Sequence, residues 1–250
     1  MFIRTESFYQ FRKSYPIVTW LVGINLGIWL LTEFVPDLFY LGAGSNHLIA
    51  LGEYWRILTP IFLHAGLTHV VFNMFSLVLF GPGLEIMLGK AKFILMYLFA
   101  GIVGNIGTLF IGPSYYNHVG ASGAIFGIFG VYIFIVLFRK NLMDQTNSQI
   151  VTTIFVISLV MTFFGGNINI LGHLFGFIGG FIIAPFVLAG AKPFYLHSVY
   201  RGGSGSHDTQ IRFDPNRWNK RRFWKRQWTK NIIWGILILL VLFGLAGTLL

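Results

Sequence analysis

Apolar residues along this chain gather into runs close to twenty residues long, separated by short polar or charged breaks. Seven such runs can be read, at roughly 16–35, 60–82, 93–111, 121–138, 150–165, 169–189 and 231–250. A helix rises about 1.5 Å per residue and a hydrocarbon layer is about 30 Å thick, so runs near twenty residues are of the length that crosses a bilayer. The pattern predicts an all-α fold, a polytopic helical bundle embedded in a membrane. Six runs form one compact domain over residues 1–189. Residues 190–230, with the Gly/Ser stretch from Arg201 to Ser206, read as a polar linker, and 231–250 as an appended seventh helix.

Composition agrees with the pattern: 55% of residues are hydrophobic, 10% are charged, and mean hydropathy is +0.71. The charges also orient the spans, because Lys and Arg accumulate in cytoplasmic loops. Of 18 basic residues only Arg56 falls between the first two spans. The others lie in the N-terminal tail, the 2–3 and 4–5 loops, and the segment from Lys192 to Lys230. The N-terminus is therefore expected in the cytoplasm and the C-terminus outside. An integral protein of a bacterial cell membrane fits this pattern. Span 1 follows a basic tail but is long and lacks a small-residue cleavage pattern, so it reads as retained.

The net charge of +10 would suit nucleic acid, but the positive-inside distribution accounts for it, and no nucleic-acid partner is expected. Arg217 to Lys230, interleaved with Trp218, Phe223, Trp224 and Trp228, reads as an interfacial segment on anionic lipid. The chain has no cysteine, which excludes thiol catalysis and thiolate metal ligands. The connection from Pro36 to Thr59 is long and aromatic, as if it lay partly in the outer interface.

Polar residues inside the spans carry the functional signal. Counting up from the cytoplasmic charges, Ser122 lies 17 residues from Arg139, His173 lies 19 from Lys192 and His69 lies 16 from Glu85, or roughly 26, 28 and 24 Å. Three polar groups on three helices share one level, a few ångströms below the outer surface, with Asn73 one turn deeper than His69. Gly123, Gly127 and Gly130 in span 4 and Gly172, Gly176, Gly179 and Gly180 in span 6 would let those two helices approach closely. Close approach is what a Ser–His pair requires, since a general base must come within hydrogen-bond reach of the hydroxyl.

Histidine suits the task of activating a serine near neutral pH. A carboxylate usually orients it, yet between residues 119 and 189 the only acid is Asp144, on the cytoplasmic side. Glu33, Asp37 and Glu53 stay open as distant alternatives. A Ser–His dyad is expected, its imidazole held by packing, with Phe126 one turn below Ser122 placed to stack on it. Ser122 opens a helix, so free backbone N–H groups there, joined by His69 and Asn73, could receive an oxyanion.

In order along the chain stand Trp55-Arg56, His69-x-x-x-Asn73, Glu85-x-x-x-Gly89, Gly120-x-Ser122-Gly123, and Gly172-His173 with Gly176-x-x-x-Gly180. On these motifs, which cover nearly all of spans 1–6, the chain resembles the rhomboid intramembrane serine proteases. The resemblance implies a six-helix core, here in a six-plus-one form, with Ser122 as nucleophile and His173 as base. It further implies an oxyanion hole made by His69, Asn73 and the Ser122 amide, and a lateral gate formed by span 5 and the outer loop near Phe163 and Phe164. Residue 126 is Phe where the family carries Tyr, which keeps the ring and removes a hydroxyl. Inactive relatives often have a proline before the serine; here that residue is Ala121.

Each feature has a plainer reading. Glycine-rich spans are often packing devices, a serine or histidine in a span can simply bond a neighbouring helix, and His64 or His118 read as helix-end or interfacial residues. A transporter using His64, His69 and His173 is disfavoured, because on one helix His64 and His69 would stand about 140° apart. A non-catalytic binder of client helices differs only by dispensing with Ser122 and His173. The expected function is a serine endopeptidase that cleaves transmembrane helices of protein substrates near their extracytoplasmic ends, with no metal and no cofactor. No signal for an oligomeric state is visible in the chain.

Overall fold

A computed structural model describes Phe2, residues 6–164 and residues 168–194. The predicted linker beyond residue 194, the Arg217–Lys230 segment and the seventh span at 231–250 lie outside the described residues. The fold is helical and polytopic. Its elements are α1 (Phe8–Ser14), α2 (Pro16–Phe34), α3 (Pro36–Gly42), α4 (Asn46–Ala50), α5 (Leu67–Leu88), α6 (Lys90–Ile111), α7 (Ser122–Phe138), α8 (Gln145–Thr162) and α9 (Ile170–Val187). Among the described residues, α2, α5, α6 and α9 are long and apolar enough to cross a membrane. The 17 residues of α7 are almost wholly apolar, and α8 begins with the polar run Gln145 to Gln149.

The spans expected from the sequence shift at their ends for local reasons. The second begins at Leu67 and not at 60, because Thr59–Phe62 is a short 3₁₀ helix with Pro60 in it, and an extended stretch ending at Gly66 follows. It then runs on through Pro82 to Leu88, since close packing holds that turn. A Cβ on Gly81 would stand 2.7 Å from Val18 Cγ2 of α2. Helix α6 starts at Lys90, directly after Gly89, whose φ of 76° reverses the chain. Helix α8 starts at Gln145, where the Asp144 side chain accepts the Asn147 N–H at 2.9 Å.

The connection at 36–59 between the first two spans is folded. It holds α3, α4, two 3₁₀ helices and the two-residue strand β1 (Gly44–Ser45), which pairs antiparallel with β2 (Asn117–His118). The Trp55-Arg56 pair fastens it: Trp55 Nε1 donates to Leu41 O at 3.1 Å. The buried Arg56 guanidinium donates to Tyr40 O and Ala43 O, each at 2.7 Å, and to Glu53 at 2.6 Å. Glu53 is thereby engaged on Arg56.

Glu85, in the last turn of α5, is buried and not a free charge at the cytoplasmic boundary. Its two carboxylate oxygens accept the N–H groups of Ile17 and Val18, each at 2.9 Å. Helix α2 has no side-chain cap of its own and Pro16 in its first turn, so Glu85 supplies the cap from another span. The core centres on Phe80, Phe93, Met96, Tyr97, Ile128, Phe129 and Tyr132, with Tyr132 donating to Phe80 O at 2.8 Å. Helices α6, α7 and α9 pack most intimately, whereas only Val151 and Thr162 are buried on α8.

Candidate active site

The polar residues singled out by depth are brought to one end of the bundle, where α7 begins. Ser122 is its first residue, preceded by Gly120 at φ 131°. That backbone conformation favours glycine, and space demands it as well. A Cβ on Gly120 would stand 2.7 Å from His69 Nε2 and 3.5 Å from Ser122 Oγ. The imidazole of α5 and the hydroxyl of α7 thus flank one bare Cα. The Gly120 N–H donates to Pro60 O at 2.9 Å and anchors this turn.

The first backbone bond of α7 runs from Ile125 N–H to Ala121 O at 3.0 Å. The N–H groups of Ser122, Gly123 and Ala124 precede it and carry the positive end of the helix dipole. An anion forming beside Ser122 would meet these donors. Asn73, buried one turn below His69, donates from Nδ2 to His69 O at 2.9 Å, which leaves the second N–H of its amide.

His173 sits in the first turn of α9. Asn169 caps that helix by accepting the Gly172 N–H at 2.9 Å, and Thr108 Oγ1 of α6 lies 3.1 Å from the same Asn169 oxygen. The seam between α7 and α9 is built from glycine on both sides. A Cβ on Gly123 would stand 3.2 Å from Gly172 O, a Cβ on Gly176 would strike Gly123 O, and one on Gly180 would strike Gly127 O. Residues next to Ser122 and next to His173 are therefore in backbone contact. Phe126 lies face to face with the His173 ring, 4.2 Å between centroids and 15° between planes.

Among the described residues no hydrogen bond joins Ser122 to His173. Instead His173 Nδ1 lies 2.8 Å from Thr162 Oγ1, at the end of α8. Packing alone was expected to hold the ring, and Thr162 is the residue that expectation missed. The depth count would have found it: Thr162 stands 18 residues from Asp144, roughly 27 Å, the same level as Ser122 and His173.

The placement of His64 also differs from the expectation. It lies before α5 begins and not on the helix, so the angular separation from His69 does not apply; the two rings meet edge to face at 5.0 Å. Burial, and then the charge of His69, lower His64 to about 3, which keeps it neutral. Even so, no group of three His, Asp or Glu side chains among the described residues is arranged to hold a metal ion.

Comparison with known proteins gives the family. Residues 51–190 match the Rhomboid domain. YdcA of Bacillus subtilis, itself a rhomboid, is 48% identical over 188 residues, covering 74% of this chain and 94% of YdcA. The rhomboid protease GluP of Bacillus subtilis is 38% identical over 181 residues, 70% of this chain but 35% of GluP. Rhomboid-like protease 1 of Toxoplasma gondii is 37% identical over 152 residues, 58% of this chain and 51% of that protein. Protease names among these relatives support a peptidase as the coarse activity. With the domain matched over more than half of its length and YdcA nearly half identical across three quarters of it, this helical membrane protein belongs to the rhomboid family.

Proposed function

We propose that the chain is an intramembrane serine endopeptidase working through Ser122 and His173. The observation that carries this reading is the convergence of the Ser122 hydroxyl, the His69 and His173 imidazoles and the free N–H groups of α7 at one end of the helical bundle. His173 Nε2 takes the proton of Ser122 Oγ as the oxygen attacks a peptide carbonyl carbon. The resulting oxyanion is received by the Ser122 N–H with His69 and Asn73. His173 then returns the proton to the leaving amine, and water hydrolyses the acyl-enzyme by the reverse sequence.

The charge distribution puts this site on the extracytoplasmic side, with residues 1–189 as the protease core, 190–230 as a cytoplasmic linker and 231–250 as a further anchor. A regular helix hides its carbonyls, so clients should carry Gly, Ala, Ser or Pro near the outer end of their span and unwind there. By family resemblance the residue before the cut is small. Wild type in liposomes should cleave a single-span substrate and be labelled by a fluorophosphonate. Ser122→Ala and His173→Ala should each abolish cleavage while staying folded, and Ser122→Ala should remove the label. Normal cleavage by His173→Ala would refute the assignment, and a folded wild type that neither cleaves nor labels would favour a non-catalytic client binder.

A further inference from the structure

The contact between Thr162 and His173 has a direction that can be worked out from proton counting. Thr162 Oγ1 lies 2.9 Å from Ser158 O, one turn back on α8, and 2.8 Å from His173 Nδ1. A carbonyl only accepts, so with both contacts bonded the single hydroxyl proton goes to Ser158 O. The remaining contact is then a hydrogen bond only if His173 Nδ1 carries a proton and donates it to Thr162 Oγ1. Both residues are buried, at 1% and 8% exposure, so water competes little for either group.

We propose that Thr162 is a positioning residue that holds His173 as its Nδ1–H tautomer, leaving the Nε2 lone pair as the base. This rests on the Ser122–His173 reading above. A chain of bonds runs from His173 Nδ1–H to Thr162 Oγ1 and from the Thr162 O–H to Ser158 O. It does by neutral acceptors what a carboxylate does in a serine triad, fixing tautomer and ring orientation together. When Nε2 takes the proton from Ser122, the imidazolium keeps its Nδ1–H on Thr162, and no proton leaves the ring at that side. The tautomer is set from α8, while the ring itself sits on α9.

The test compares wild type, Thr162→Val, which keeps the shape and removes the hydroxyl, and Thr162→Ser, which restores it. Nitrogen-15 NMR of histidine-labelled protein in lipid, with the His173 signal identified by its loss in His173→Gln, reads the tautomer without any need for activity. Wild type and Thr162→Ser should show protonated Nδ1, and Thr162→Val should show a shift toward the Nε2–H form. In the cleavage assay, kcat should fall about 10-fold to 100-fold in Thr162→Val with KM within about twofold, and Thr162→Ser should recover most of the loss. An Nε2–H tautomer in wild type overturns the proposal, as does Thr162→Val with unchanged tautomer and kcat. If Thr162→Val fails to fold, the wild-type spectrum and the Thr162→Ser kinetics still decide. A wild type that never cleaves, yet shows the Nδ1–H form, would overturn the protease reading and leave the tautomer assignment standing.

Discussion

The ring of Phe126 covers the imidazole of His173 at 4.2 Å, nearly parallel. One side of the proposed base is fixed by this aromatic face, which follows Ser122 by one helical turn. Aromatic pairs of this kind contribute about 0.5–1.5 kcal/mol beyond burial. Phe126→Leu should therefore lower kcat by roughly threefold to tenfold. Phe126→Tyr should keep activity near wild type. Cleavage kinetics on one substrate check both, and full activity in Phe126→Leu would remove the ring from the mechanism.

The glycine seam makes a sharp contrast between positions that look alike in the sequence. Gly180→Ala would drive a methyl into Gly127 O of the facing helix, whereas a Cβ at Gly27 of α2 meets nothing within 4 Å. Overpacking against immovable backbone costs about 1–3 kcal/mol or more, and Ala in a helix is favoured over Gly by about 1 kcal/mol. Gly180→Ala should lower the melting temperature in detergent, and Gly27→Ala should hold or raise it.

Glu85 caps α2 from α5, so its loss strands two backbone donors at once. Glu85→Ala should cost about 2–6 kcal/mol, given about 1–3 kcal/mol for each of the two unpaired donors. Glu85→Gln, which retains one acceptor oxygen, should cost less. Denaturation in mixed micelles measures the order, and equal stability for all three proteins would show that water replaces the carboxylate.

His118 on β2 is buried, neither ring nitrogen is bonded among the described residues, and burial lowers it to about 4 from its ordinary 6.5. The folded state binds its proton more weakly than the unfolded chain does. Stability from this group is complete above about pH 6.5 and is lost as pH falls toward 4. His118→Phe should therefore lose less melting temperature than wild type between pH 7 and 4.5. His64 is unchanged in the variant, so it contributes equally to both curves. Parallel curves would mean that His118 does not titrate in this range.

Depth counting from charged boundaries made much of this arrangement legible. Ser122, His69 and His173 come together at one end of the bundle because a helix converts sequence distance into height, and flanking Lys, Arg and acids supply the zero. What the sequence left hidden has equally physical causes. Pro60 and Gly66 end the apolar run of span 2 early, since hydropathy does not register a 3₁₀ turn, and His64 leaves the helix with them. The fold of the connection between the first two spans depends on Arg56 reaching backbone carbonyls 13 and 16 residues away, a tertiary fact without a local pattern. Thr162 was visible as a polar residue at the right height. Threonine in a span usually satisfies itself on its own helix, and this one also does, so its height alone does not single it out.

The tight seam between α7 and α9 bears on how a client could arrive. Two backbones in contact cannot be wedged apart without undoing the pair of helices that carry Ser122 and His173. Among the described helices of 17 or more residues α8 is the wall with the fewest buried side chains, and one of its two is the hydroxyl proposed to steady the imidazole. On the proposed mechanism, any outward swing of α8 at that end would release the base in the same motion that admits a guest. An opened enzyme would then be an idle one, rearmed only when the wall returns.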